Sequence, residues 1–135
     1  MYSYLRKRFL MNRNEYKFYK KLESAVGLEY KILPQVHFDE LVTPTKDSGK
    51  RIFSFRHINQ KSIDFVVCDK TTLIPLVAIE LDGKSHLQQK TKDNDFEKER
   101  ILKEVNLPLL RFDNDDDIDI AGIRERIYET VNLKV

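Results

Sequence analysis

At 135 residues the chain has room for one domain with a real core and not for two. Its 41% hydrophobic and 34% charged residues describe a soluble globular protein, and a single cysteine excludes an internal disulfide. A net charge of +2, from 24 basic and 22 acidic residues, does not by itself announce a nucleic-acid partner. No apolar run nears the ~20 residues of a membrane span, and the basic N-terminal end lacks the apolar stretch of a signal peptide. No membrane partner is expected, and the cytoplasm is the expected compartment. The charge is nonetheless uneven. Arg6, Lys7, Arg8, Arg13, Lys17, Lys20 and Lys21 make the first thirty residues basic, while Asp113 to Asp119 are acidic. A basic end can touch phosphates without an extreme overall charge.

Phe9, Tyr16, Tyr19, Leu22 and Val26 recur at three- and four-residue steps and predict a helix over 12–26. Asn12 or Asn14 is its cap and Gly27 its stop. Glu15 reads either as a first-turn acid that suits the helix dipole or as a site residue. Tyr30 to Phe38 alternates as a strand, with Pro34 marking an edge or a bulge and His37 on the solvent side. Residues 39–60 carry loop signals at Thr43-Pro-Thr and Asp47-Ser-Gly49. Ile52, Phe55 and Ile58 favour a short helix there, although Phe53, Phe55 and His57 also fit a strand. Arg51, Arg56 and His57 between the aromatics read either as a nucleic-acid contact or as a solvated loop.

The most informative stretch is a hairpin. Lys61 to Cys68 and Leu73 to Leu81 read as strands joined through Asp69 to Thr72. Each carries acids among β-branched and apolar residues. An ionised carboxylate in such a strand is costly unless it is paired or binds a cation. Alternation puts Asp64, Val66 and Cys68 on one face of the first strand, and Ala78, Glu80 and Asp82 on one face of the second. Antiparallel pairing then lets Asp64, Glu80 and Asp82 converge. Cys68 reads as a small core residue.

Gly83-Lys-Ser-His86 leaves the hairpin as a loop. A helix is predicted over 93–105, with Ile101, Leu102 and Val105 inward, Lys98 and Asp95 one and two turns before them, and Asn106 as the stop. Leu107 to Phe112 reads as a buried strand. Because a helix precedes it, it should run parallel to Leu73–Leu81. Ile118 to Val131 is a last amphipathic helix through Ile120, Ile123, Ile127 and Val131. Asp113, Asp115 and Asp117 imitate a calcium-binding loop, but Ile118 stands where that loop needs Gly and Arg124 where it needs Glu, so the match fails.

Hydrolysis of a phosphodiester needs the phosphate charge neutralised and a water activated, and divalent metals held by carboxylates do both. Asp64, Glu80 and the backbone carbonyl of Leu81 would make one Mg²⁺ (or Mn²⁺) site, which Asp82 could widen. His86 could orient water, transfer a proton or contact phosphate.

The segments Ser62-Ile-Asp-Phe-Val-Val-Cys-Asp69, Ala78-Ile-Glu-Leu-Asp-Gly-Lys-Ser-His86 and Leu107-Pro-Leu-Leu-Arg111 resemble domain-of-unknown-function family 2726. That family is grouped with the PD-(D/E)xK nuclease superfamily, near the very-short-patch-repair endonucleases. The resemblance runs from about Asn12 to Phe112. It implies an α/β fold, a restriction-endonuclease-like αβββαβ core with a mixed sheet flanked by helices, matching the elements above. It also implies that Asp64 and Glu80 are the superfamily's two acids and Glu15 the acid often found on its first helix. Asp82 falls where the superfamily usually has Lys. In the repair-endonuclease branch that place is also not Lys, and a His follows, as His86 does here. Lys84 or Lys98 would supply a migrated positive charge, whereas Arg100 should point away. The expected activity is a metal-dependent endonuclease acting on DNA. The alternative is an inactive nucleic-acid-binding or accessory domain that keeps the fold. A dimer or a partner subunit is compatible with either.

Overall fold

The computed structural model describes residues 1–45, 58–83, 89–113 and 118–132, apart from the side chains of 89–95. The chain runs α1 (Arg13–Val26), β1 (Tyr30–His37), α2 (Phe38–Leu41), β2 (Ser62–Asp69), β3 (Pro75–Asp82), α3 (Gln89–Glu104), β4 (Leu109–Asp113) and α4 (Ile120–Asn132). The expected αβββαβ order is present, with α2 and α4 in addition. The predicted helix or strand around Phe53, Phe55 and His57 lies outside the described residues, as does the acidic run at 114–117. No helix among the described residues is long and apolar enough to cross a membrane.

The four strands form one mixed sheet in the order β1-β2-β3-β4. β1–β2 and β2–β3 pair antiparallel, and β3–β4 pair parallel, as a crossover through α3 allows. Alternation along the strands creates two apolar layers. Phe65, Val67, Val77, Ile79 and Phe112 pack against Phe18, Leu22, Ala25 and Val26 of α1 and against Ile123 and Ile127 of α4. On the other face, Val66, Cys68, Ala78 and Leu109 meet Ile101, Leu102 and Leu107 from α3 and the turn after it, with Phe38 and Ile58 closing the β1 end.

The apolar stripe of α1 differs from the expected one. Phe9 precedes the helix and is 71% exposed, and Tyr16 is 53% exposed. At 100° per residue Tyr16 falls opposite the Phe18–Leu22–Val26 face, so the buried set is carried by positions 18, 22, 25 and 26. Asn12 is the cap. It forms a full capping box with Glu15, in which each side chain bonds the other's backbone N–H. Val105 also fails to turn inward, because α3 ends at Glu104 and Asn106 takes a left-handed φ of 59° that reverses the chain. Ile120 is exposed at the first position of α4, while Ile123 and Ile127 are fully buried. Leu107 is buried but precedes its strand rather than opening it.

Pro34 lies on an edge strand, as its missing N–H demands. The residue after it, Gln35, has a φ of 53° and falls between the Pro34/Phe65 and Val36/Ile63 pairs. A non-glycine residue in this region is strained by roughly 1–3 kcal/mol, and such irregularities concentrate next to functional sites. By register, Gln35 stands opposite Asp64.

Candidate active site

Three neighbouring strands set Asp64, Glu80 and Arg111 in a row. Phe65 faces Ile79 across β2 and β3, so the next step of the same register opposes Asp64 to Glu80. Across β3 and β4 Glu80 faces Arg111. Asp64 shares its face with Val66, Glu80 with Ala78 and Arg111 with Leu109, so all three point toward α3.

Among the described residues Glu80 is the only charged side chain that is buried, at 5% exposure. Its Oε1 lies 2.6 Å from the Nζ of Lys98 on α3. Lys98 is one turn before the buried Ile101 and Leu102, the spacing that brings it over the sheet. Asp64 Oδ2 accepts the Leu81 N–H at 2.8 Å, which ties its carboxylate to the strand beside it. The Asp64 and Glu80 carboxyls are within hydrogen-bonding reach of each other. Burial raises the Glu80 carboxyl first, and the hydrogen bond and charge of Asp64 raise it further. Lys98 opposes both, and the result stands at about 8. Without another cation, Glu80 therefore tends to keep a proton at neutral pH.

Asp82 does not join this pair. Its Oδ1 is 3.0 Å from Arg111 Nη1, and Arg111 Nε is 2.8 Å from Glu99 Oε1 on α3. The expected convergence of three acids is thus divided, because β4 brings a guanidinium beside Asp82. Among the described residues no group of three or more His, Cys, Asp or Glu is gathered as for a metal ion. The pair still offers hard oxygen donors, with the Lys98 ammonium against one of them. That donor set fits Mg²⁺, which commonly binds through one or two carboxylates and completes its shell with water and substrate oxygens. A cleft of about 310 Å³ lies to one side at the β4 edge, lined by Glu99, Lys103, Leu109, Arg111 and Arg126, and does not reach Asp64 or Glu80.

Glu15 takes the first-turn position and also reaches the sheet. Its Oε1 caps the Asn12 N–H at 2.9 Å, and its Oε2 accepts from Gln35 Nε2 at 2.6 Å. Gln35 in turn stands opposite Asp64, so Glu15 is linked to the acids through one side chain rather than placed among them. Arg100 points away, toward Glu97 and Glu104, as expected. His86 and Lys84 lie outside the described residues, and the side chain of Asp95 is among those not described.

Two members of this constellation have no site signal of their own in the sequence. Arg111 was part of the Leu107–Arg111 motif, and its signal was alternation with Leu109, which becomes informative only once the parallel register is known. The signal of Gln35 was the adjacent Pro34, which indicated a bulge but not what the bulge aimed.

Comparison with known proteins adds three findings. The profile of a family described as a protein of unknown function (DUF2726) matches residues 7–131. A relative from Haemophilus influenzae, described as an uncharacterized protein, is 27% identical over 113 residues, which cover 82% of this chain and 56% of that relative. The chain thus spans little more than half the length of the relative it matches. No solved structure matches.

Proposed function

We propose that this chain, which belongs to the DUF2726 family, is a metal-dependent nuclease-like domain of the PD-(D/E)xK type that hydrolyses phosphodiester bonds in DNA. The observation that carries the reading is the Asp64–Glu80 carboxyl pair on adjacent strands with the Lys98 ammonium 2.6 Å from Glu80. Two acids and a lysine are the groups that name the superfamily. Here the lysine comes from α3 and not from β3, where Asp82 takes its place and pairs with Arg111.

Asp64 and Glu80 would hold a Mg²⁺ or Mn²⁺ ion, with the Leu81 carbonyl beside them. Such an ion supplies charge neutralisation at the phosphate and lowers the pKa of a bound water. The chain's own groups do the rest. The Leu81 N–H fixes one oxygen of Asp64. Lys98 keeps Glu80 oriented and brings a positive charge to the place where a phosphate oxygen gains charge. Arg111 holds Asp82 and Glu99 off the pair, so that neither adds to its repulsion. Glu15, through Gln35, braces the strand opposite Asp64. His86 is kept as a proton-transfer or phosphate-contacting group.

One observation favours a second reading. Lys98 and Arg111 already stand against Glu80 and Asp82, as they would in an accessory domain that binds nucleic acid without cutting it. A plasmid-nicking assay with Mg²⁺ or Mn²⁺ separates the two. Cleavage that needs the metal and is lost in Asp64→Ala and Glu80→Ala supports the nuclease. Binding without cleavage, unchanged in both variants, supports the accessory domain. Metal-independent cleavage that survives both substitutions would sink the nuclease reading.

A further inference from the structure

Residues 1–22 hold seven of the chain's 24 basic side chains and one of its 22 acids. That acid, Glu15, is engaged internally by Asn12 and Gln35. Arg6, Lys7, Arg8, Arg13 and Lys17 are exposed, and among the described residues none of them forms an ion pair. Helical spacing gathers Arg13, Tyr16, Lys17 and Lys20 on the side of α1 opposite to Phe18, Leu22, Ala25 and Val26. Four aromatic rings interleave with these charges: Tyr2, Tyr4, Phe9 and Tyr16, exposed by 87%, 86%, 71% and 53%. The Arg8 guanidinium lies 5.2 Å from the centre of the Phe9 ring. The first turn of α1 reaches the sheet through Glu15, which holds Gln35, and Gln35 stands opposite Asp64 by register.

We infer that residues 1–11 and the outward face of α1 bind single-stranded nucleic acid, with the cations on successive phosphates and Tyr2, Tyr4, Phe9 and Tyr16 stacking on unpaired bases. The inference rests on the nuclease-like reading for its choice of polyanion. Cations track a phosphate backbone, and exposed rings between them pay for their hydration by stacking on bases, which a duplex keeps stacked on one another. An anionic membrane is the less suited partner. A membrane-surface helix separates its apolar and basic side chains onto opposite faces, whereas Tyr16 lies among the cations. The stripe also gives a strand a favourable approach to a carboxylate pair that would otherwise repel it.

The test is fluorescence anisotropy of a labelled mixed-sequence strand of about 20 nucleotides, long enough for one site. It uses the full chain carrying Asp64→Asn, in chelator and across a salt series. The Arg6→Ala/Lys7→Ala/Arg8→Ala variant is expected to reduce the slope of log affinity against log salt by about 2, at ~0.7 per cation. The Tyr2→Ala/Tyr4→Ala/Phe9→Ala variant is expected to weaken single-strand binding about tenfold or more without changing that slope, and to leave duplex binding unchanged. A slope unmoved by the cation variant overturns the inference. So does a preference for duplex, and so does binding to phosphatidylserine vesicles but not to the strand. The nicking assay reads catalysis separately. A moved slope with no nicking upholds the binding stripe and fails the nuclease, and nicking with an unmoved slope does the reverse.

Discussion

Glu80→Gln isolates the electrostatics of the candidate site. In the metal-free fold the Glu80 carboxyl titrates at about 8 against 4.5 for its ordinary value, raised by burial and by Asp64. Between these values the unfolded chain has released its proton and the folded chain still holds it. Unfolding therefore releases a proton, and stability falls as pH rises through the window, levelling off above it. At about 1.4 kcal/mol per pH unit the full window amounts to at most ~5 kcal/mol, a large part of the 5–15 kcal/mol typical of a domain. Gln has nearly the same shape and does not titrate, so it removes this slope and leaves the others. The assay is urea unfolding of both proteins in chelator, from about pH 5 to about pH 9. Wild type and variant should be close at the acidic end, and the variant should become the more stable by several kcal/mol at the alkaline end. Added Mg²⁺ should restore wild-type stability at high pH and do little for the variant, because the ion replaces the proton. Curves that stay parallel, or a wild type that gains on the variant as pH rises, would refute the argument. The second outcome would mean that the Lys98 ion pair outweighs burial and Asp64 together.

Lys98→Met should lower the nicking rate by roughly 100-fold, as loss of a preorganised charge donor does, with little change in the salt slope of strand binding. Arg111→Met removes the ion pairs to Asp82 and Glu99, which are partly exposed and worth about 1 kcal/mol or less, so thermal stability should change little. Calorimetric Mn²⁺ affinity should rise as Asp82 is released toward the pair, and an unchanged affinity would make Asp82 a bystander. Leu22→Ala, at a fully buried position between α1 and the sheet, should cost about 2–5 kcal/mol in urea unfolding. Asn12→Ala should cost about 1 kcal/mol for the lost cap and should also loosen Glu15, reported by faster amide exchange in the first turn of α1.

The order of elements was legible in the sequence because each carries its own period. Ile123 and Ile127 mark α4, and the alternating run from Ser62 to Asp69 marks β2. The acids were legible for a different reason: a carboxylate within Val77-Ala-Ile-Glu80 contradicts its surroundings, and the contradiction is visible without coordinates. Counter-charges were harder. Lys98 could be named because a helical turn relates it to Ile101 and Leu102. Arg111 could not, since its closeness to Asp82 depends on a parallel register that no local pattern encodes. The same gap explains the misplaced third acid. Alternation alone puts Glu80 and Asp82 on one face, and only β4 decides that Asp82 faces a guanidinium. The spacing of Tyr16 to Tyr19 and Val26 is helical, but a three- and four-residue rhythm does not say which of two faces is inside. The shared burial of Phe18 and Leu22 settles that.

Among the described residues the sheet ends on β1 and β4, and both margins are poor templates for another strand. On β1, Pro34 has no N–H to offer and Gln35 turns left-handed directly after it. On β4, Arg126 donates to the Arg111 carbonyl at 2.9 Å and lays its guanidinium 4.1 Å from the Phe112 ring. Interruptions of this kind are how β proteins keep from adding strands of neighbouring chains edge to edge. At β1 the safeguard and the candidate site share a residue. The left-handed Gln35 that breaks the template also stands opposite Asp64 and binds Glu15, so a substitution that straightened this strand would disturb the site and leave the sheet more open to aggregation.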